Sequence, residues 1–488
     1  MIDSAVADRR LHPATLVSRT LRVIPEAAGG MAAYGALIAR AEVGRVLMMV
    51  LAGVAVAGVA AFLGWWRFRY GVGAREIVIE SGVLSRKRRV IPLERVQDIA
   101  IEQPLLARLF GTARVRIETG GAAADEGHLD SIALVEAYAL RDLIRGRKAE
   151  DEAPEGIARE TGELLLFSMG VGRVLASGLF NFSIVFVAAI FAVLQNAEEL
   201  GLIDPSDFVL AAEDVPIRVW VLASAATLGL VLLLGIAAGV LRTLARDYGF
   251  RLTRAAKGLR RRRGLFTLSE AVIPVRRMQV ARIESGLVAR ALGWHRLGFQ
   301  TLGADARERG VQVAAPFARL EEVRPILAET GFPEPQDEGG WARAPRRSIA
   351  RRAALPALAA AAALVVALVL DRGAGIAAAG GLVLVAAGAP LRWNRHRYSV
   401  GDRALFVAAG VLKRRVTIMP FERVQAIEVT AGPLQRMLCL ATVRVDTAGA
   451  TGRGIGMVDV ERGDAAAVAE RLLGLFKERR RIERAERR

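Results

Sequence analysis

Five stretches of the chain, 43–66, 170–194, 217–241, 353–370 and 374–393, are apolar with almost no charge. A hydrocarbon core of about 30 Å is crossed by roughly 20 apolar residues in a helix, so each stretch predicts a membrane span. Only Asp371, Arg372 and Gly373 separate the last two, which predicts a tight helical hairpin. A sixth stretch, 23–38, is shorter and holds Glu26 and several glycines. Elsewhere the pattern changes to period two. Glu76-Ile77-Val78-Ile79-Glu80, Val115-Arg116-Ile117-Glu118, Leu297-Gly298-Phe299-Gln300 and Val443-Arg444-Val445-Asp446 alternate as half-buried strands do. Each alternating block closes on apolar residues at helical spacing: Ile132, Val135, Tyr138, Leu140, Leu143; Phe317, Leu320, Val323, Leu327; and Val468, Leu472, Leu473, Phe476. The pattern predicts a polytopic α-helical membrane protein carrying three α+β modules, 67–148, 242–331 and 394–480. An N-terminal segment 1–42, linkers 149–169 and 332–352, a loop 195–216 and a tail 481–488 make up the rest.

The modules share a signature. A glycine, a proline, an arginine and a glutamine recur at constant spacing: Gly82, Pro92, Arg95, Gln97; Gly264, Pro274, Arg277, Gln279; Gly410, Pro420, Arg423, Gln425. A small residue (Gly111, Gly293, Cys439) and then a threonine (Thr119, Thr301, Thr447) follow at fixed distances, with an arginine (Arg108, Arg290, Arg436) in a short helical patch before them. The chain is a threefold repeat of membrane anchor plus folded module. The glycine falls where a hairpin turns and positive φ is needed. The proline cannot donate to a ladder and marks a strand end.

Charge sets the orientation. Lys and Arg exceed Asp and Glu by 68 to 50, a net +18. Arginines crowd the module side of the spans: Arg67 and Arg69, Arg242 and Arg246, Arg392, Arg395 and Arg397. The loop between the second and third spans carries Glu198, Glu199, Asp204, Asp207, Glu213 and Asp214 with no cation. Basic loops stay in the cytoplasm, which predicts an inner-membrane protein with cytoplasmic modules and an external acidic loop. Arg9, Arg10, Arg19 and Arg22 favour an inside N-terminus, which needs an even number of crossings before the first module. Five spans or six, with stretch 23–38 as the sixth, are both open.

Ser81-Gly82-Val83-Leu84, Ile91-Pro92-Leu93-Glu94-Arg95-Val96-Gln97 and Arg116-Ile117-Glu118-Thr119 resemble the membrane-flanked bacterial pleckstrin-homology-like (PH-like) domains of the YdbS and YdbT type. Three such modules with paired spans are similar to the YdbT arrangement. The resemblance implies a small curled β-barrel closed by a C-terminal helix, and it implies no enzymatic activity. The second module departs from the motif. Arg276 stands where Glu94 and Glu422 stand, and Thr267-Leu268-Ser269 replaces the basic run.

The candidate chemistry is electrostatic. Arg86, Lys87, Arg88 and Arg89, Arg260, Arg261, Arg262 and Arg263, and Lys413, Arg414 and Arg415 lie beside the hairpin turns. Near an anionic leaflet each such charge contributes about 1 kcal/mol of attraction. These cations are candidates for lipid headgroups; solvated arginines that only enforce topology are the competing reading. The Pro/Arg/Gln signature is architectural, because arginine and glutamine do not titrate in the range general acid–base chemistry uses. One cysteine and four scattered histidines predict no disulfide, no metal site and no cofactor. Trp65, Trp66 and Trp393 sit where interfacial belts lie, and no aromatic platform accompanies the basic charge, so nucleic acid is not expected. Within the second span Asn181 and Ser183 suggest a helix–helix hydrogen bond.

These features predict a non-enzymatic scaffold or sensor whose modules bind the anionic inner leaflet or a protein partner. Transport of lipid or solute through the helices, and assembly with a smaller single-module relative, are the alternatives.

Overall fold

The computed structural model describes residues 8–13, 15–16, 43–73, 75–83, 85–119, 127–151, 164–181, 216–255, 258–301, 311–335, 340–369, 372–448 and 454–486. Stretch 23–38, the acidic loop up to residue 215, Ser183 and Asp371 lie outside them.

The first module comprises β1 (Arg9–Arg10), α1 (Val43–Arg67), β2 (Arg69–Val72), β3 (Glu76–Ser81), β4 (Lys87–Pro92), β5 (Val96–Pro104), α2 (Leu105–Leu109), β6 (Thr112–Thr119), β7 (Gly127–Ala133) and α3 (Leu134–Asp151). The second repeats this order with β8 (Leu165–Ser168), α4 (Val171–Leu179), α5 (Ile217–Asp247), β9 (Arg251–Ala255), β10 (Gly258–Arg263), β11 (Thr267–Pro274), β12 (Met278–Gly286), α6 (Leu287–Ala291), β13 (His295–Thr301), β14 (Val311–Ala318) and α7 (Leu320–Glu329). The third runs β15 (Ala342–Arg343), α8 (Ser348–Val369), α9 (Arg372–Ala387), α10 (Ala389–Arg395), β16 (Arg397–Val400), β17 (Ala404–Ala409), β18 (Lys413–Pro420), β19 (Val424–Thr430), α11 (Pro433–Met437), β20 (Leu440–Thr447), β21 (Ile455–Glu461) and α12 (Arg462–Glu486).

The alternating stretches fall in β3, β6, β13 and β20, as their period requires. The helical stripes need correction at their starts, because Ile132 and Phe317 belong to strands β7 and β14. In α3 the buried positions are Ala137, Leu140 and Arg141, while Val135 is 81% exposed. In α12 Ala465, Ala469 and Leu472 face inward and Leu473 does not. Leu140 and Leu472 of the predicted stripes are buried, and Tyr138, Val468 and Phe476 pack against the same cores, so the stripes mark the inward face, which Ala137, Ala465 and Ala469 widen.

Each module begins earlier than its alternation suggests. The segments 1–42, 149–169 and 332–352 supply strands β1, β8 and β15, which pair antiparallel with β2, β9 and β16. The apolar helices are therefore an excursion between a module's first and second strands. Trp65 and Trp393 tie the excursion shut: their Nε1 groups donate to the carbonyls of Leu11 (2.9 Å) and Ala344 (2.7 Å). Two described helices, Ile217–Asp247 and Ser348–Val365, are long and apolar enough to cross a membrane. The second predicted span is helical over Val171–Leu179, and Asn181 follows its end. Asn181 is therefore not inside a described helix as expected; its Nδ2 donates to Thr243 Oγ1 at 3.2 Å, joining the turn after α4 to α5.

The chain forms two compact units, Met1–Ala255 with Arg260–Val272, and Ala256–Leu259 with Ile273–Arg488. The first unit holds a sheet of order β1-β2-β3-β4 and one of order β7-β6-β5-β11-β10-β9-β8. The second holds β14-β13-β12-β18-β17-β16-β15 and β19-β20-β21. Among the described residues every module thus has seven strands divided four and three. The inner edge of the later three pairs with the inner edge of the next module's first four. In module 1 the two halves share one core, with Ile77, Ile79 and Ile91 from the first and Ile99, Val115, Ile117 and Leu129 from the second, closed by Ala137 and Leu140. Module 3 repeats this with Leu405, Val407 and Met419 against Val443, Val445, Met457 and Leu472.

Candidate functional site: three hairpins and their cations

The signature glycines open the hairpins at φ of 103° (Gly82), 118° (Gly264) and 99° (Gly410). A Cβ at each would lie 1.9 Å from the carbonyl oxygen three residues on, so the turn closes only with glycine. Pro92, Pro274 and Pro420 end β4, β11 and β18, and each leads into a 3-10 turn, Leu93–Arg95, Val275–Arg277 or Phe421–Arg423. At these corners Arg423 Nη1 donates to the Arg276 carbonyl (3.1 Å), and Gln279 Nε2 reaches that of Arg277 (3.5 Å). Thr119, Thr301 and Thr447 are the last residues of β6, β13 and β20. The side chains of Gln97 and Thr119 lie outside the described set. Gly111, Gly293 and Cys439 hold φ of 62°, 73° and 52°, the left-handed residue that ends α2, α6 and α11. Smallness at that position therefore has a backbone cause.

In modules 2 and 3 the hairpins meet the ends of the helices that precede them. In module 2 the Leu265 amide donates to the Ala245 carbonyl (3.0 Å) in the last turn of α5 and the Gly264 amide to that of Tyr248 (2.9 Å) just after it. In module 3 Arg414 donates to the carbonyl of Arg395, at the end of α10. Large apolar side chains stand exposed at the tips: Val83 at 44%, Phe266 at 50% and Leu412 at 76%.

The eleven cations separate into two groups. In module 2 Arg260 pairs with Glu270 (2.6 Å), which also accepts from Arg141 (2.5 Å). Arg263 pairs with the fully buried Asp247 (3.2 Å), Arg261 is buried, and Arg262 is exposed. In module 3 Lys413 and Arg415 both reach Glu284, each at 2.7 Å, across the joint between β18 and β12, and Arg414 is buried. Burial alone would raise the carboxyls of Glu270 and Glu284, but Arg260 with Arg141, and Lys413 with Arg415, hold both below their ordinary range. Arg86, Lys87, Arg88 and Arg89 of module 1 are all exposed, and Arg88 stands 3.6 Å from the half-exposed Glu80. Most cations of modules 2 and 3 thus stitch strands and helix ends together, while those of module 1 face solvent.

Sequence reasoning missed the acids that receive them. Glu284 stands five residues after its glutamine, where the first cassette has Glu102, which pairs instead with Arg114 and Arg116; that recurring acid was the available signal. Among the described residues no cluster of three His, Cys, Asp or Glu side chains is placed to hold a metal ion.

Among the described residues, seven strands and a helix recur three times, with apolar helices between each first and second strand, which defines a tandem of three β-modules. The chain belongs to the bacterial PH domain family, whose model matches residues 21–148, 206–330 and 352–475. All three matches leave out the short first strands β1, β8 and β15. A relative is the UPF0699 transmembrane protein YdbT of Bacillus subtilis (strain 168), 23% identical over 311 residues. That alignment covers 60% of this chain and 62% of the relative. No solved structure matches the chain. PH modules and a transmembrane relative fit a non-enzymatic membrane protein.

Proposed function

We propose that the protein is a multi-pass scaffold or sensor of the bacterial inner membrane, with its modules on the cytoplasmic side and its hairpins reading anionic headgroups. The observation that carries this is the bonding of a hairpin to a helix end: the Leu265 amide donates to the Ala245 carbonyl in the last turn of α5 and the Gly264 amide to that of Tyr248 just after it. A hairpin so placed lies where an apolar helix leaves the bilayer, and its exposed tip residue and cations meet the headgroup layer. In module 1 Val83 is the apolar tip, and Arg86, Lys87, Arg88 and Arg89 are the cations. At about 1 kcal/mol per charge, four cations contribute on the order of 4 kcal/mol on an anionic surface and almost none on a neutral one. Because β1 pairs with β2, this reading puts the N-terminal strand and the first module on one face of the membrane.

The test places an environment-sensitive fluorophore at Val83→Cys in a Cys439→Gly background, in nanodiscs of neutral or anionic lipid carrying a quencher near the headgroup. Quenching is expected with anionic lipid, and its loss when Arg86, Lys87, Arg88 and Arg89 are replaced by alanine. Equal quenching in both lipids, or quenching that survives the four replacements, sinks the headgroup reading.

A further inference from the structure

The repeat uses one joint twice and leaves its two halves open once more. In the first joint β11 pairs with β5, with Ser269 opposite Glu102 and Glu270 opposite Ile101. In the second, β18 pairs with β12, with Arg415 opposite Glu284 and Val416 opposite Ile283. The register is the same in both. The fifth residue after the hairpin glycine faces the fifth residue after the signature glutamine, counting from Gly264 and Gln97 in one case and from Gly410 and Gln279 in the other. Among the described strands β4 and β19 end their sheets at the two equivalent edges.

We infer that β19 of one copy of this protein pairs antiparallel with β4 of a second copy, in the register of the two internal joints. That register sets Lys87 opposite Thr430, Arg88 opposite Val429, Arg89 opposite Glu428 and Val90 opposite Ile427. Three observations support it. The edges expose what the internal joints bury: Val429 is 47% exposed where Ile101 and Ile283 are 2% and 5%, and Val90 is 45% exposed where Ile418 is 0%. The charges are complementary, because Arg89 and Glu428 fall directly opposite, the arrangement that favours a cross-strand pair. Glu428 is 54% exposed and meets Arg444 at only 3.4 Å, so it has room to turn. Open β edges are ready templates for strand addition, and a chain that carries both halves of a joint at its two ends is self-complementary. The contact is head to tail, so copies extend into a ring or a row. This inference stands apart from headgroup binding, since a backbone ladder forms on neutral lipid as well.

The experiment uses the full chain in membranes of neutral lipid with Cys439→Gly, so that introduced cysteines are the only ones. Two differently tagged forms, Arg88→Cys and Val429→Cys, are co-expressed and treated with a short bis-maleimide. An adduct carrying both tags is expected, well above the adducts of either form alone and above those of Val429→Cys with Val135→Cys, a still more exposed site away from the edge. Arg89→Glu should lower the adduct about tenfold, and Glu428→Arg in the other form should restore it. Failure to form a doubly tagged adduct overturns the inference. So does an adduct found only within one chain when both cysteines are on it, or one made to a different protein. Both charge positions are on the surface, so these variants leave the fold intact.

Discussion

Asp459→Asn removes one charge and almost nothing else. Asp459 is fully buried in β21 and adopts φ of 67°, beside the register shift where β20 and β21 slip between Ala441 and Val443. Its carboxylate accepts from Arg351 Nη2 (2.7 Å), Arg352 Nε (3.1 Å) and Gln435 Nε2 (2.9 Å), joining the start of α8 to the third module's sheet. Asparagine tolerates the left-handed conformation as well as aspartate does, so the backbone contributes little to the difference. Gln435 keeps an acceptor, but the new amide donors face two guanidinium groups. Removing one partner of a buried ion pair costs about 3–5 kcal/mol. The side chains of Arg351 and Arg352 are 25% and 13% exposed, so water recovers part of this and the lower end, about 3 kcal/mol, applies. At roughly 2–4 °C per kcal/mol for a unit of this size, the melting temperature falls by about 6–12 °C. The assay is thermal unfolding of the full chain in nanodiscs, followed by tryptophan fluorescence. The comparison is Glu461→Gln, which breaks the exposed pair with Arg347 and costs less than about 1 kcal/mol. If Asp459→Asn moves the transition no further than Glu461→Gln, the buried carboxylate does not anchor the helix to the module.

Cys439→Gly relieves a left-handed residue that is glycine at the two equivalent positions, and it should raise stability by about 1 kcal/mol in the same melt. An unchanged or lower midpoint contradicts this. Burial and the nearby Arg352 lower the His396 imidazole to about 4, against Asp459, which pulls the other way; its Nε2 accepts the Val458 amide at 3.1 Å. The native state binds fewer protons than the unfolded chain, so this contribution is complete above about pH 6.5 and is lost as pH falls toward 4. The full difference is about 3 kcal/mol. His396→Gln should flatten the decline in melting temperature across that window, and an undiminished slope would assign it to other groups. At Gly239 a Cβ would sit 2.2 Å from the Asn181 carbonyl oxygen, with the Gly178 carbonyl 3.3 Å away. Gly239→Ala should therefore push α4 from α5 and cost about 1–3 kcal/mol, measured by denaturant midpoint beside Gly229→Ala, where nothing lies within 4 Å.

The positions legible in the sequence are those whose cause is local. Gly82, Gly264 and Gly410 mark themselves because a backbone turn admits no Cβ, and Pro92, Pro274 and Pro420 because a proline cannot extend a ladder. The strands around Ile77, Val115 and Phe299 show their period because one face is buried. The strands β1, β8 and β15 escaped notice because two to four residues carry no period. The cations were visible but their partners were not. Lys413 and Glu284 are 129 residues apart by number and 2.7 Å apart in space, so a run that reads as a solvated patch is half interior.

By itself the sequence determined the threefold repeat, the turn and strand-end positions, and the presence of apolar helices, each of which rests on side-chain size, backbone φ or hydropathy within a few residues. Only the tertiary structure decided that one module's later strands continue into the next module's sheet, and therefore which cations face solvent and which edges stay open. Backbone hydrogen bonds along a strand edge are the same for every residue. Which edge meets which is settled by burial and long-range register, and neither is written in any short stretch of chain.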